Sequence, residues 1–427
     1  MKIVREDSLI KKPVTDKVWD VVVIGGGPSG MMAAARAASR GRAVLLLEKN
    51  ARLGKKLSIT GGGRCNVTNN KPNVRTMLSS YKASGKFLFS TFKQHGVAET
   101  IEWFAERGVG FVEENHGRMF PETLSAETIR ETLVGELEVQ KVEVRSRSTV
   151  SEITRDDQFS VFNIFLTNRE LVQARSCVVA TGGTSRPDTG STGEGFVWLE
   201  KLGHTVIEND MSLVPLSLKD KWVSRLSGVS LENVKITLCV DGKKQKSSFG
   251  KILFTHVGVS GPMVLNISKQ VGELMKEGEV TLEVDLFPSL DVGTMRTNLQ
   301  EQLVEKSNQK LKNILSDFVP ASLVVPVLEL LNIDRETPGH SVSREDRAGL
   351  AKMLKKLTLH VKGLLGADKA VVSSGGVALT EVDFRTMGSR IIPNLYLAGD
   401  ILNIERPSGG YSLQLCWSTG FVAGDNA

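Results

Sequence analysis

Cysteine is scarce in this sequence, with four in 427 residues, at positions 65, 177, 239 and 416. They stand far apart and form no C-x-x-C pair, which excludes a zinc ribbon or a dithiol redox centre, and no metal site is expected. Such usage suits the reducing cytoplasm. Aromatic residues reach only 6 %. No apolar run approaches the length of a membrane span, and no secretory signal pattern is present. There is also no basic block: the formal charge is +6, but lysine and arginine are dispersed and not interleaved with aromatics, so no nucleic-acid partner is expected. The polar stretch 1–17, with Glu6, Asp7 and Asp16, reads as a loosely held leader. What is abundant is glycine, 41 residues in a chain long enough for two or three domains.

The glycines are concentrated where they carry meaning. Residues 18–30 read VWDVVVIGGGPSG. The β-branched run 21–24 suits a central parallel strand buried on both faces. Gly25, Gly27 and Gly30 then form G-x-G-x-x-G, with Pro28 at the first turn of an alanine-rich helix, 31–40, closed by Gly41. Gly25 permits the tight turn, Gly27 admits a pyrophosphate to the backbone, and Gly30 lets helix and strand approach. A second strand, 43–47, ends in Glu48, where a carboxylate can accept both hydroxyls of an adenosine ribose. A 2′-phosphate would clash there, so the ligand is FAD or NAD. The alternative, a glycine-rich turn in another doubly wound sheet, leaves Glu48 unexplained.

Residues 50–70 hold four glycines and the cations Lys55, Lys56 and Arg64, and read as a loop of backbone donors without regular structure. A surface helix is expected over 85–107, a hairpin over 108–123 with its turn near Asn115 and Gly117, and a helix from Ser125 to about 137. Strands follow at 141–145, 149–153, 161–166 and 171–174. Another buried strand, 177–180, leads into ATGG, a second close approach to a cofactor, and a helix over 194–202 follows. From 204 the texture turns to alternating strands at 213–218, 234–240, 251–254 and 280–286, an antiparallel sheet or small barrel. His256 sits among apolar residues there and reads either as a core imidazole or as a proton carrier. Residues 290–355 are helical in pattern, and 358–361 returns as a strand. Near the end, a strand at 394–398 runs into Gly399-Asp400, and Gly409-Gly410 opens a helix beginning Tyr411-Ser412-Leu413. Asp400 can bind ribityl hydroxyls, and the helix N-terminus can face the flavin edge that becomes negative on reduction. No second G-x-G-x-x-G occurs, so a dedicated nicotinamide domain is not expected, although NAD(P)H can dock transiently as reductant.

The fingerprint with Glu48, GGGRCNVTN (61–69), GRMFP (117–121), ATGG (180–183), FTHVGVSGP (254–262), TMGSR (386–390) and LAGD…SGGYSLQ (397–414) occur in that order. Together they resemble the bacterial family of FAD-binding oxidoreductases that includes the aminoacetone-oxidase-like and BaiN-like flavoproteins, the HI0933-like family. The resemblance covers nearly the whole chain after residue 18. It implies an α/β architecture: a glutathione-reductase-type Rossmann FAD domain from 18–204 and 370–427, an inserted antiparallel β-barrel-like domain from 205–289 and 356–369, and a helical subdomain over 290–355. Carried onto this chain, the FAD contacts are Gly25, Gly27, Pro28, Ser29 and Gly30 at the pyrophosphate, and Glu48 with Lys49 at the adenosine. Lys56, Gly62, Gly63, Arg64 and Asn66 lie toward the flavin. Val150 offers its backbone to adenine, and Thr181, Gly182 and Gly183 close that side. Gly399, Asp400, Gly410, Tyr411 and Leu413 hold the ribityl and isoalloxazine. Members of the family often carry glutamate where this chain has Asp400.

The function so implied is hydride transfer between flavin N5 and a small substrate, an amine or a conjugated carbonyl compound, bound over the flavin between the FAD and barrel domains. His256, Arg118, Arg64 and Tyr411 are the candidates for orienting or protonating it, imidazole for proton transfer near neutrality and arginine for a carboxylate or enolate. Two alternatives stand beside this: a flavin-carrying module with little turnover, and an FAD-dependent tRNA-modifying enzyme, which would require a basic face.

Overall fold

A computed structural model describes residues 17–71, 73–207, 211–365, 372–373 and 375–427. The expected leader before Lys17 and the expected boundary at 370 lie outside these residues. The chain divides into two compact units, Met1–Asp210 with Val372–Ala427, and Met211–Val371.

In the first unit, the strand Val18–Ile24 is buried from Val21 onward and lies at the centre of a seven-stranded sheet. It pairs in parallel with Val44–Leu47 on one side and Leu171–Val179 on the other. Glu143–Arg145 extends the sheet beyond Val44–Leu47. Leu171–Val179 serves two partners along one edge. Its first half pairs antiparallel with Val161–Leu166, and its second half runs parallel to Leu395–Leu397. The sequence suggested two strands here, 171–174 and 177–180. They are one, because the Arg175-Ser176 step has neither glycine nor proline and stays paired, Ser176 opposite Val21 with Arg175 outward.

The helix Pro28–Ser39 packs against the C-terminal helix Tyr411–Asn426 at backbone distance. A Cβ on Gly420 would lie 2.4 Å from Ser29 O, and one on Gly424 would lie 2.2 Å from Ala33 O. The expected single helix over 85–107 is two, Gly85–Gln94 and Val97–Ala105. Gly96 breaks it, and Glu99 Oε2 accepts the Gly96 N–H at 2.9 Å to start the second. Residues 50–70 are more ordered than a plain loop. Leu57–Gly63 forms tight 3₁₀ turns, and Thr68–Asn69 pairs with Arg118–Pro121, which is also the partner of Phe111–Glu114.

In the second unit, Leu216–Leu218, Gly258–Ser260, Lys243–Thr255, Ser230–Val240, Val280–Asp285 and Leu357–Leu364 form, in that order, a closed antiparallel barrel. The helix Pro262–Leu274 interrupts the expected run of strands, with Val264, Ile267 and Val271 on its buried face. The helices Val292–Glu305, Leu311–Leu315, Ala321–Leu330 and Arg344–Lys355 share one hydrophobic core with the barrel strands. Among the described residues no helix is long and apolar enough to cross a membrane.

Candidate functional site

The strand Val18–Ile24 delivers the chain to Gly25 at φ +106°, a conformation that a side chain disfavours. A Cβ there would also meet Ala180 O at 2.6 Å, and one on Gly30 would meet Gly25 O at 1.8 Å. These two glycines are therefore required by the protein's own packing. Gly27 differs: a Cβ there would find no atom within 4 Å. Gly27 precedes a helix whose N-terminus has Pro28 in its first turn, no side-chain cap and no acidic residue, an end that suits an anion.

Glu48 is buried, and it is not idle. Its Oε2 accepts the Gly26 N–H at 2.7 Å, and its Oε1 accepts the Asn50 N–H and Asn50 Nδ2, each at 2.7 Å. The carboxylate is thus pre-positioned, with lone pairs left for a ribose. The backbone 145–148 zips to the same place: Glu48 N–H donates to Arg145 O at 3.0 Å and Ser148 N–H to Glu48 O at 2.9 Å. This brings Val150, two residues on and itself buried, close to the Glu48 backbone.

The loop after Leu171–Val179 closes against the 49–56 segment. Lys49 Nζ donates to Thr192 Oγ1 and Glu194 Oε2, each at 2.7 Å, and Lys56 Nζ donates to Ser185 Oγ at 3.2 Å. Burial pulls the Lys56 ammonium below its ordinary pKa, opposed chiefly by the charge of Asp400. Gly182 stands at φ +75°, Gly183 is buried, and the buried Thr181 Oγ1 has no partner among the described residues.

The two ends of the chain meet. Gly399 follows Leu395–Leu397, donates its N–H to Thr419 Oγ1 at 2.9 Å, and would place a Cβ 2.5 Å from Ser29 Oγ. Asp400 accepts from the buried Arg406, whose Nε donates to Ser412 Oγ at 3.0 Å. The helix Tyr411–Asn426 starts at Gly410, φ +98°, with no side-chain cap. Asn66, its amide turned so that both ends are satisfied, accepts the Gly410 N–H at 3.1 Å. Tyr411 is buried and receives the Tyr81 hydroxyl on its carbonyl at 2.7 Å, and Leu413 is buried beside it. Burial pushes the Cys65, Cys177 and Cys416 thiols up to about 12, so none of them is a ready nucleophile.

Of the four candidates for substrate chemistry, Arg64 and Arg118 stand together, both over the ring of Phe120 and both beside Glu114. Tyr411 belongs to the same unit. His256 does not: it lies in the barrel unit, exposed at the turn between Lys243–Thr255 and Gly258–Ser260, and the core-imidazole expectation fails because a two-residue turn has no interior. Sequence reasoning passed over Arg406, Glu114, Gly26 and Asn69. Arg406 and Asn69 lie inside motifs already singled out, so their position was a signal. Glu114 had none, since its partners depend on hairpin register.

Two uncapped helix ends, Gly27, Gly62 and Gly63 with no atom within 4 Å of an added Cβ, and the orphaned Thr181 hydroxyl fit a bound dinucleotide. Bound there, its pyrophosphate would face Gly27 to Gly30 and its flavin end Gly410.

Comparison with known proteins agrees. The chain is 31 % identical over 406 residues to the 3-dehydro-bile acid delta(4,6)-reductase of Clostridium scindens, covering 94 % of this chain and 97 % of that protein. It is 30 % identical over 406 residues to the ribosomal RNA dihydrouridine synthase of Escherichia coli K12, covering 95 % and 96 %. A solved flavocytochrome c3 fumarate reductase shares the fold, with a TM-score of 0.52 at 16 % identity over 96 % of this chain and 78 % of that one. The first unit is a Rossmann-type FAD-binding domain, and the protein is an oxidoreductase. The family model described as HI0933-like protein Rossmann domain matches residues 19–426, and the chain belongs to the HI0933-like family.

Proposed function

We propose that the protein is an FAD-dependent reductase that saturates a carbon–carbon double bond conjugated to a carbonyl in a small organic substrate. The observation that carries this reading is the pair of guanidiniums: Arg118 on the small sheet that Asn69 ties to the cofactor end through Gly409 O at 3.0 Å, and Arg64 beside it at the end of the glycine turn. A positive edge there favours a substrate that gathers negative charge on its carbonyl oxygen as hydride arrives. It disfavours an ammonium substrate, so of the two substrate classes the amine is the poorer fit. Bound FAD would supply the hydride, replenished by NAD(P)H docking transiently. Gly27 to Gly30 and the N-terminus of Pro28–Ser39 hold the pyrophosphate, Glu48 holds the ribose, and Asp400 and Gly410 hold the flavin end. Tyr411, at the first turn of the C-terminal helix, is our choice for the proton donor to the product carbon. The names of the two relatives support the reading, since a delta(4,6)-reductase and a dihydrouridine synthase both add hydrogen across a conjugated carbon–carbon bond. Four free, buried cysteines suit the cytoplasm, where we place the reaction.

Anaerobic mixing tests this. NADH or NADPH should bleach the visible flavin band, and an enone should restore it with formation of the saturated ketone. Bleaching by amines alone, with enones inert, would contradict the reading, and inertness toward every donor would leave only a flavin-carrying module. A second reading, reduction of uracil in RNA, is favoured by the full-length match to the dihydrouridine synthase. It predicts dihydrouridine in RNA incubated with reduced enzyme, read by mass spectrometry.

A further inference from the structure

The small sheet beside the cofactor end carries an arrangement that hydride transfer alone does not require. Glu114 closes the strand Phe111–Glu114 and stands in register opposite Arg118, while Arg64 arrives from the glycine turn. Glu114 Oε1 accepts from Arg64 Nη1 at 2.7 Å, and its Oε2 lies 3.4 Å from Arg118 Nη2. The guanidinium carbons lie 4.4 and 5.9 Å from the centre of the buried Phe120 ring, which holds both in place. Arg118 Nε is further fixed by Asn115 O at 3.1 Å. One carboxylate thus spans two guanidiniums, one oxygen to each, and one positive charge is left over. The side chains of Arg64 and Arg118 are 39 % and 29 % exposed, and that of Glu114 is 31 %. Ion pairs this exposed to water are weak, so Glu114 can be displaced at small cost. Asn69 Nδ2 binds the turn at His116 O (3.1 Å) as well as Gly409 O, so the cluster is a fixed part of the flavin end.

We propose that Arg64 and Arg118 form the receptor for a carboxylate on the substrate, and that Glu114 occupies this receptor until the substrate arrives. The ligand class follows from what the guanidiniums already hold: a carboxylate, bridged between them. This rests on the reductase reading above and narrows its substrates to acidic conjugated carbonyl compounds. Glu114 sets specificity, because a neutral ligand gains nothing from displacing it.

The test uses oxidised holoenzyme and calorimetric titration with 3-phenylpropionate and its methyl ester, which needs no turnover. The acid should bind about tenfold tighter than the ester, the scale of a hydrogen bond to a charged group. Glu114→Gln should tighten the acid further by about fivefold, and Arg64→Gln and Arg118→Gln should each erase the preference. A merely structural ion pair would make Glu114→Gln neutral or harmful to acid binding. The proposal is overturned if acid and ester bind alike in the parent and in Glu114→Gln, if Glu114→Gln leaves acid binding unchanged or weakens it, or if no variant moves the ratio. It is equally overturned if a uridine oligonucleotide binds in a salt-dependent way while the acid does not. Reduction of cinnamate and methyl cinnamate is followed in parallel. If neither is reduced, the reaction assigned above is wrong, while the binding ratios still decide the carboxylate receptor.

Discussion

Arg406 reaches back six residues to Asp400, beneath the first turn of the C-terminal helix, with its side chain almost wholly out of solvent. Its Nη1 also donates to Ile404 O at 2.8 Å. Removing one member of a buried pair leaves an uncompensated charge, so Arg406→Leu should cost about 3–5 kcal/mol of stability. The double variant Arg406→Leu/Asp400→Asn should recover part of that loss. Urea unfolding of the three proteins checks it, and equal losses in single and double variants would show that the pair is not coupled.

Gly25 and Gly27 belong to one fingerprint but answer to different partners. Gly25→Ala combines φ +106° with a 2.6 Å approach to Ala180 O, and should destabilise the protein without FAD by about 1–3 kcal/mol. Gly27→Ala has open space and an ordinary φ of −79°, and should leave that stability unchanged while weakening FAD by about tenfold, because its methyl enters the pyrophosphate's place. Thermal unfolding before and after FAD titration separates the two effects.

His95 is a buried ring stacked on Phe421 at 4.3 Å, and its Nε2 has no partner among the described residues. Burial, aided by the charge of Arg36, pulls its imidazole down to about 4. The unfolded chain therefore takes up the proton first as pH falls. Stability from this group is complete above about 6.5 and is lost down to about 4, roughly 3 kcal/mol in all. His204, also depressed by burial against the pull of Glu381, adds loss of the same sign. His95→Phe should flatten the acid limb of the stability curve by the His95 share alone. An unchanged slope between pH 6.5 and 4 would contradict the assignment.

The nucleotide fold was legible because its signals are local. A strand, a glycine turn, a helix and Glu48 follow one another within about thirty residues, the span of a βαβ unit, and each is dictated by neighbouring residues. The barrel's strands were legible from alternation, and the hairpin from Asn115 and Gly117. The helix Pro262–Leu274 was not read, although Gly261 ahead of it and Pro262 at its first position are helix-start signals. The pairing of Arg64 with Glu114 was hidden for a different reason: fifty residues separate them, and they meet only because Thr68–Asn69 and Phe111–Glu114 both pair with Arg118–Pro121. His256 was read from its apolar neighbours and its motif, and neither says that Val257 beside it is exposed as well.

Leu171–Val179 takes Val18–Ile24 on one edge and Leu395–Leu397 on the other. During synthesis the ribosome must therefore make the whole barrel unit before the central sheet of the first unit acquires its last strand and covering helix. Until Leu395–Leu397 emerges, the second half of Leu171–Val179 has one open edge, a liability for aggregation. Asp400 and Gly410, proposed above for the flavin end, are made only after that last strand, so a product halted before Leu395 would carry the first glycine turn and Glu48 without their counterpart.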